Sequence, residues 1–156
     1  MTSFRVAFVD VYVLRRRPAG LETLVLRRSP HGRCTGAWEA VHGGIDAGER
    51  PVDAARRELR EETGLEPTEL YNLSRVETFY RHRADEIVYI PAFAAVVAAD
   101  AVTLSEEHDR WEWLPLPEAR ARVAWPRERR GLEDIEVLLA GRGGPLDDVL
   151  RVLPDL

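Results

Sequence analysis

The sequence predicts a single α/β domain in which strands flank one mid-chain helix. Three observations carry that expectation. Runs rich in β-branched and aromatic residues lie before and after the middle of the chain. Between them, residues 51–63 switch to an apolar repeat of three and four residues. The length of 156 residues, 45% of them hydrophobic, supports one well-buried core rather than two.

The elements follow in order. "FRVAFVDVYVLRRR", residues 4–17, reads as a strand. Ala19 and Gly20 mark a turn, and "LETLVLRRS", 21–29, completes a hairpin. "PHGRCTGAW" has the Pro and Gly content of a loop, and "WEAVHGGIDAGE" is a short extended piece running into a glycine-rich loop. Pro51 suits the first helical turn, where a missing N–H costs nothing. Val52, Ala55 and Leu59 then form one narrow apolar stripe. Gly64 stops the helix, because glycine enters the left-handed conformation without strain. "ELYNLSRVETFYRH" and "DEIVYIPAFAAVVAA" are two long strands, the second apolar enough to lie centrally. Pro91 within it predicts a bulge or an edge. "DRWEWLPL" is a last short strand. "LPEARARVA" and "PRERRGLEDIEVLLAG", 126–141, read as helices, the second offering Leu132, Ile135, Val137, Leu138 and Leu139 for burial.

Composition excludes several function classes. A net charge of −5 and a pI near 5.5 leave no basic excess for general nucleic-acid binding, although a small anionic ligand is compatible with a local site. One cysteine, Cys34, allows no intrachain disulfide and points to a reducing cytoplasm. The N-terminal apolar run is followed, not preceded, by positive charge, the wrong order for a secretory signal. No stretch reaches the roughly 20 apolar residues of a membrane span. All 22 basic residues are arginine, which reads as compositional bias.

The chemistry concentrates in "GGIDAGERPVDAARRELREETGL", residues 43–65. At about 100° per residue, Glu58 and Glu62 lie nearly on one line with Glu61 beside them, bordering the apolar stripe. Partly buried carboxylates cannot all stay ionised without compensating positive charge. Most guanidinium groups of Arg56, Arg57 and Arg60 should point to other sides of the helix. A divalent cation resolves the conflict, since Mg²⁺ takes one or two carboxylates together with substrate phosphates. Gly43 and Gly44 let the backbone approach an anionic ligand or aim a carbonyl at the metal. The alternative is a solvated face with i,i+4 Glu–Arg pairs.

The full spacing decides between the two. Gly43, Glu49, Arg57, Glu58, Leu59, Glu61, Glu62, Gly64 and Leu65 resemble the Nudix box at every specified position. The flanking elements are similar to that family's α/β/α sandwich with a mixed β-sheet, so the resemblance extends over most of the chain. It implies hydrolysis of a nucleoside diphosphate linked to another moiety, with Mg²⁺ or Mn²⁺ as cofactor and metal-activated water as nucleophile. Carried over by position, Glu58, Glu61 and Glu62 are metal-binding acids and the Gly43 carbonyl is a further ligand. Arg57 would orient a carboxylate. Glu49 would brace the loop, with a second-metal role left open. The base is either a box glutamate, Glu61, or an acid of the "LSEEHDRWEWLPL" loop, where Glu107 leads and Glu106 is the fallback. His108 is read as an exposed loop histidine able to meet a phosphate.

For the substrate, His42 stands where many relatives carry proline, which weakens the analogy to the oxidised-purine branch. The "EEHDRWEWLPLPEA…WPRERRGLED" tail resembles the dATP and dihydroneopterin-triphosphate branch. It implies that Trp125 stacks on the ligand while Arg127 and Arg130 pair phosphate, and packing of the helix onto the sheet is the other reading of Trp125. Gly44 and His42 lie on the substrate side of the loop. Tyr80 falls where dinucleoside-polyphosphate hydrolases place a tyrosine, or is ordinary core. A nucleoside triphosphate-like substrate therefore leads, dinucleoside polyphosphates come second, and a nucleotide-sensing module is the reading of a different class. Retention of every box glutamate favours the enzyme. Homodimers are common among relatives.

Overall fold

A computed structural model describes residues 1–139, 141 and 143–154. Strands β1 (Ser3–Val6), β2 (Phe8–Arg17), β3 (Gly20–Arg28), β4 (Trp38–Glu39) and β5 (Val41–Gly44) precede helix α1 (Pro51–Thr63). Then come β6 (Glu69–Arg81), β7 (Glu86–Val96), β8 (His108–Pro115), α2 (Leu116–Arg122), α3 (Pro126–Leu139), α4 (Asp147–Leu150) and β9 (Arg151–Leu153). The described strands form one mixed sheet in the order β4-β3-β2-β7-β6-β9, with β1 on β7, β5 on β2 and β8 on β3.

The period-2 alternation of β2 explains the layering. Val9, Val11 and Val13 face one side, where they pack with Ala54, Ala55 and Leu59 of α1. Tyr12 and Leu14 face the other, with Leu116, Ala119, Leu132, Ile135 and Leu139 of α2 and α3. The result is the expected α/β/α sandwich. Ion pairs fasten α3 across the sheet: Arg75 of β6 meets Asp134 at 2.5 Å, and Arg130 meets Glu77 at 3.0 Å.

Several expectations are refined. The first strand is interrupted at Ala7, so that β1 and β2 both run parallel to β7 but at separate stretches, 86–89 and 92–96. Pro91 sits in the gap between those stretches, opposite a register shift in β6 between Asn72 and Val76. A central strand thus tolerates a residue without an N–H because its ladder is broken on both sides there. Val137 is 84% exposed and takes no part in the core. The helix predicted to Gly141 is described to Leu139, and Ala140 lies outside the described residues. The strand β9 and the short helix α4 were not foreseen. Among the described residues no helix is long and apolar enough to cross a membrane.

Candidate active site

Helix α1 begins with Pro51 at its first turn and ends at Gly64, whose φ of 73° is left-handed and whose N–H reaches the Arg60 carbonyl at 2.8 Å. These ends set the phase of the acids. Glu58 and Glu62 fall on the buried face, while Glu61 stands in solvent with 57% of its side chain exposed. The expected cluster is therefore two buried acids and one outward one.

Arg57 is its hub. The guanidinium donates to both Glu49 oxygens at 2.8 and 2.9 Å, to Glu58 Oε1 at 2.8 Å, to Glu61 Oε2 at 3.2 Å and to the Gly44 carbonyl at 2.8 Å. Glu49 also accepts the Asp46 N–H at 2.9 Å. These bonds, first that from Arg57, hold the Glu49 carboxyl down at about 2. Glu49 thus braces the loop from Gly44 to Asp46 against the helix. Gly43 is required by close approach, because a Cβ there would overlap the Glu58 carboxylate. Gly44 has open space beside it, and its carbonyl is engaged by Arg57.

Glu62 is 2% exposed, and among the described residues neither carboxylate oxygen has a hydrogen-bond partner. A buried acceptor left so costs about 1–3 kcal/mol, and more when charged. Burial, then the facing Glu107 carboxylate, then Glu58, push Glu62 well above the ordinary carboxylate range. Burial likewise raises Glu58, against the pull of Arg57. Across from them, Glu62, Glu107 and His108 each bring one ligand atom within 4.8 Å of the others. The orphaned Glu62 oxygens, the hard oxygen donors and the absence of a side chain at Gly43 together fit a divalent cation. The Glu106 backbone carbonyl accepts from Ser29 Oγ at 2.5 Å, which ties the loop to the end of β3.

His108 departs from the expectation of an exposed loop residue. It opens β8, is 4% exposed, and its Nε2 lies 2.9 Å from Glu39 Oε1, which Arg28 also meets at 3.2 Å. Burial pushes Glu39 up, but the bonds from His108 and Arg28 win and hold it below its ordinary value.

Beside the acids lies a cavity of about 370 Å³ lined by, among others, Phe8, Glu39, His42, Phe79, Trp125 and Arg127. The β2–β5 register sets Asp10 opposite His42, and the imidazole Nδ1 lies 2.7 Å from Asp10 Oδ1. Phe8 stacks on the same ring with centroids 5.0 Å apart. Trp125 meets Phe79 edge-on, and Arg127 lies over its face. Both readings of Trp125 therefore have a counterpart: it packs onto β6 and also walls the cavity.

Three residues expected to meet substrate have partners within the chain. Arg127 lines the cavity, and Asp10 takes its guanidinium fork at 2.7 and 3.2 Å, so it also neutralises a buried acid. Tyr80 is not on the cavity wall; strand alternation turns Phe79 inward there, and the Tyr80 hydroxyl meets Asp85 at 2.9 Å. Arg130 pairs with Glu77. Asp10, Glu39 and His108 as partners were missed. The signal was present in Asp10 and Glu39, acids set inside the apolar runs "FVDVYV" and "WEAV".

Comparison with known proteins identifies the family. Residues 5–135 match the NUDIX domain. An octanoyltransferase of Myxococcus xanthus is 36% identical over 123 residues, covering 74% of this chain and 32% of that protein. The asymmetrical bis(5'-nucleosyl)-tetraphosphatase of Rattus norvegicus is 38% identical over 85 residues, covering 53% of this chain and 58% of that one. In both cases the chain spans less than two thirds of the relative. A binary complex of a C. elegans Ap4A hydrolase superposes with a TM-score of 0.67 and 26% identity over 86% of this chain and 98% of its own.

Proposed function

Because this chain belongs to the NUDIX domain family, we propose that it is a pyrophosphohydrolase of a nucleoside diphosphate linked to another moiety, with Mg²⁺ or Mn²⁺ as cofactor. The observation that carries the reading is Glu62, a buried carboxylate with both oxygens unpartnered, facing Glu58 and Glu107. Glu58, Glu61, Glu62, Glu107 and the Gly43 carbonyl are the groups that would hold the ion. When bound, the ion supplies positive charge opposite phosphate oxygens and makes water easier to deprotonate.

The chain's own residues do the rest. Arg57 fixes Glu58 and the Gly44 loop in one geometry, so the acids are in place before substrate arrives. Glu107, exposed at the rim, is the group best placed to take a proton from attacking water, with Glu61 the box alternative. Trp125, Phe79 and Phe8 offer faces for a nucleoside-like ring, and His42 an edge for hydrogen bonding. A nucleoside triphosphate-like substrate fits one such cavity. Dinucleoside polyphosphates are the second reading, favoured by what the rat and C. elegans proteins are named for. A cytoplasmic location and a homodimer complete the proposal, the first supported by the single exposed thiol of Cys34.

A nucleotide panel with products resolved by mass tests it. Nucleoside monophosphate plus pyrophosphate supports the leading substrate, and two nucleotides from a dinucleoside compound the second. Glu62→Gln should lower turnover by at least about 10²-fold with the fold intact. Near-normal turnover in that variant, or tight nucleotide binding without hydrolysis by the native protein, would sink the proposal.

A further inference from the structure

We infer that His108 gives the acid cluster a nitrogen ligand, so that the site holds first-row transition ions, Mn²⁺ of the two proposed cofactors among them, more tightly than Mg²⁺. The inference rests on the reading that this cluster holds a divalent ion, and deepens it by naming the class of ion.

Four observations point the same way. A ring nitrogen of His108 and carboxylate oxygens of Glu62 and Glu107 lie within 4.8 Å of one another. The His108 side chain is wholly buried, and among the described residues its Nδ1 has no hydrogen-bond partner. Glu62, on the facing helix, is buried with both oxygens equally unpartnered. Two orphaned groups from separate elements are hard to reconcile with a merely structural packing, since neither satisfies the other.

The fourth observation concerns Glu39. Its carboxylate accepts from Nε2 at 2.9 Å while Arg28 meets the same oxygen at 3.2 Å. With Nε2 engaged by that carboxylate, the unpartnered Nδ1 is the ring nitrogen left to face a metal. A ligating histidine almost always donates its other N–H to a carboxylate in this way. Glu39 is thus a positioning residue, acting through His108. It also lines the cavity, so the same carboxylate joins the ligand pocket to the acid cluster. Nitrogen donors raise affinity for later first-row ions far more than for Mg²⁺, which prefers oxygen.

The test uses the native chain with metal alone. Pulsed EPR of bound Mn²⁺ should show coupling to a histidine nitrogen, and His108→Gln should abolish it. The same variant should weaken Co²⁺ binding by about tenfold or more and leave Mg²⁺ binding within about twofold. Glu39→Gln, which keeps an acceptor but loses the charge, should weaken Co²⁺ less than His108→Gln does. Should His108→Gln not fold, a chain with His31, His42 and His82 replaced by Gln keeps His108 as its one histidine and should retain the coupling. Mn²⁺ bound through Glu62 without nitrogen coupling overturns the inference and leaves the hydrolase proposal standing. Coupling that survives His108→Gln overturns it equally. Failure to bind any divalent ion overturns both.

Discussion

At the scale of the residue, charge compensation organises the site. Arg57 serves two acids of its own helix, one of the preceding loop and a backbone carbonyl, whereas Glu62 has nothing. In the unfolded chain a glutamate titrates near about 4.3. Burial, and then Glu107, raise Glu62 well above that in the native state. Between the two values the native state holds more protons, so metal-free stability should fall as pH rises through that window. Glu62→Gln should flatten this slope and raise the metal-free melting temperature at neutral pH, by about 2–4 °C for each kcal/mol recovered. Mg²⁺ or Mn²⁺ should raise the melting temperature of the native protein and not of the variant. Thermal melts across pH, with and without metal, check all three. Indifference of the native protein to both pH and metal would mark the cluster as merely solvated.

At the scale of the element, α1 and the loop before it act as one unit, and adjacent glycines should respond differently. Gly43→Ala pushes a methyl into the Glu58 carboxylate, so that the carboxylate must move, and should cost most activity with little loss of stability. Gly44→Ala meets open space and should be nearly silent. Equal loss of turnover in the two would contradict the close approach. Much of this unit was legible in the sequence, because helix phase, Pro51, Gly64 and the acid spacing are local properties of thirteen residues and their flanks. What was not legible depended on distant partners. Phe79 rather than Tyr80 faces the cavity because the pairing of β6 with β7 puts Phe79 opposite Val88, another wall residue. His108 was taken for a surface residue because Glu39, which draws it inward, lies 69 positions away. The pairing of Arg127 with Asp10, 117 positions distant, was equally out of reach. The break at Ala7 likewise reflects how β7 divides its edge between two strands.

At the scale of the whole molecule, recognition and chemistry draw on different elements that meet at Glu39, which lines the cavity and holds His108 beside the acids. Glu58 and Glu62 project from α1, while Trp125 and Arg127 come from the start of α3 and its approach, on the other layer. Changes to one should therefore leave the other largely intact. Trp125→Ala should raise KM about tenfold with kcat within about threefold, as expected for lost binding that is equal in ground and transition states. Steady-state kinetics decide it, and a fall confined to kcat would place the indole in the chemical step. The two layers nonetheless share β2, which sends valines one way and Asp10, Tyr12 and Leu14 the other. Loss or gain of a single residue within that strand would exchange their destinations, burying the Asp10 carboxylate among aliphatics far from Arg127. Length variation among descendants of this chain should thus collect in stretches such as 30–37, while β2 accepts substitutions but no insertions or deletions.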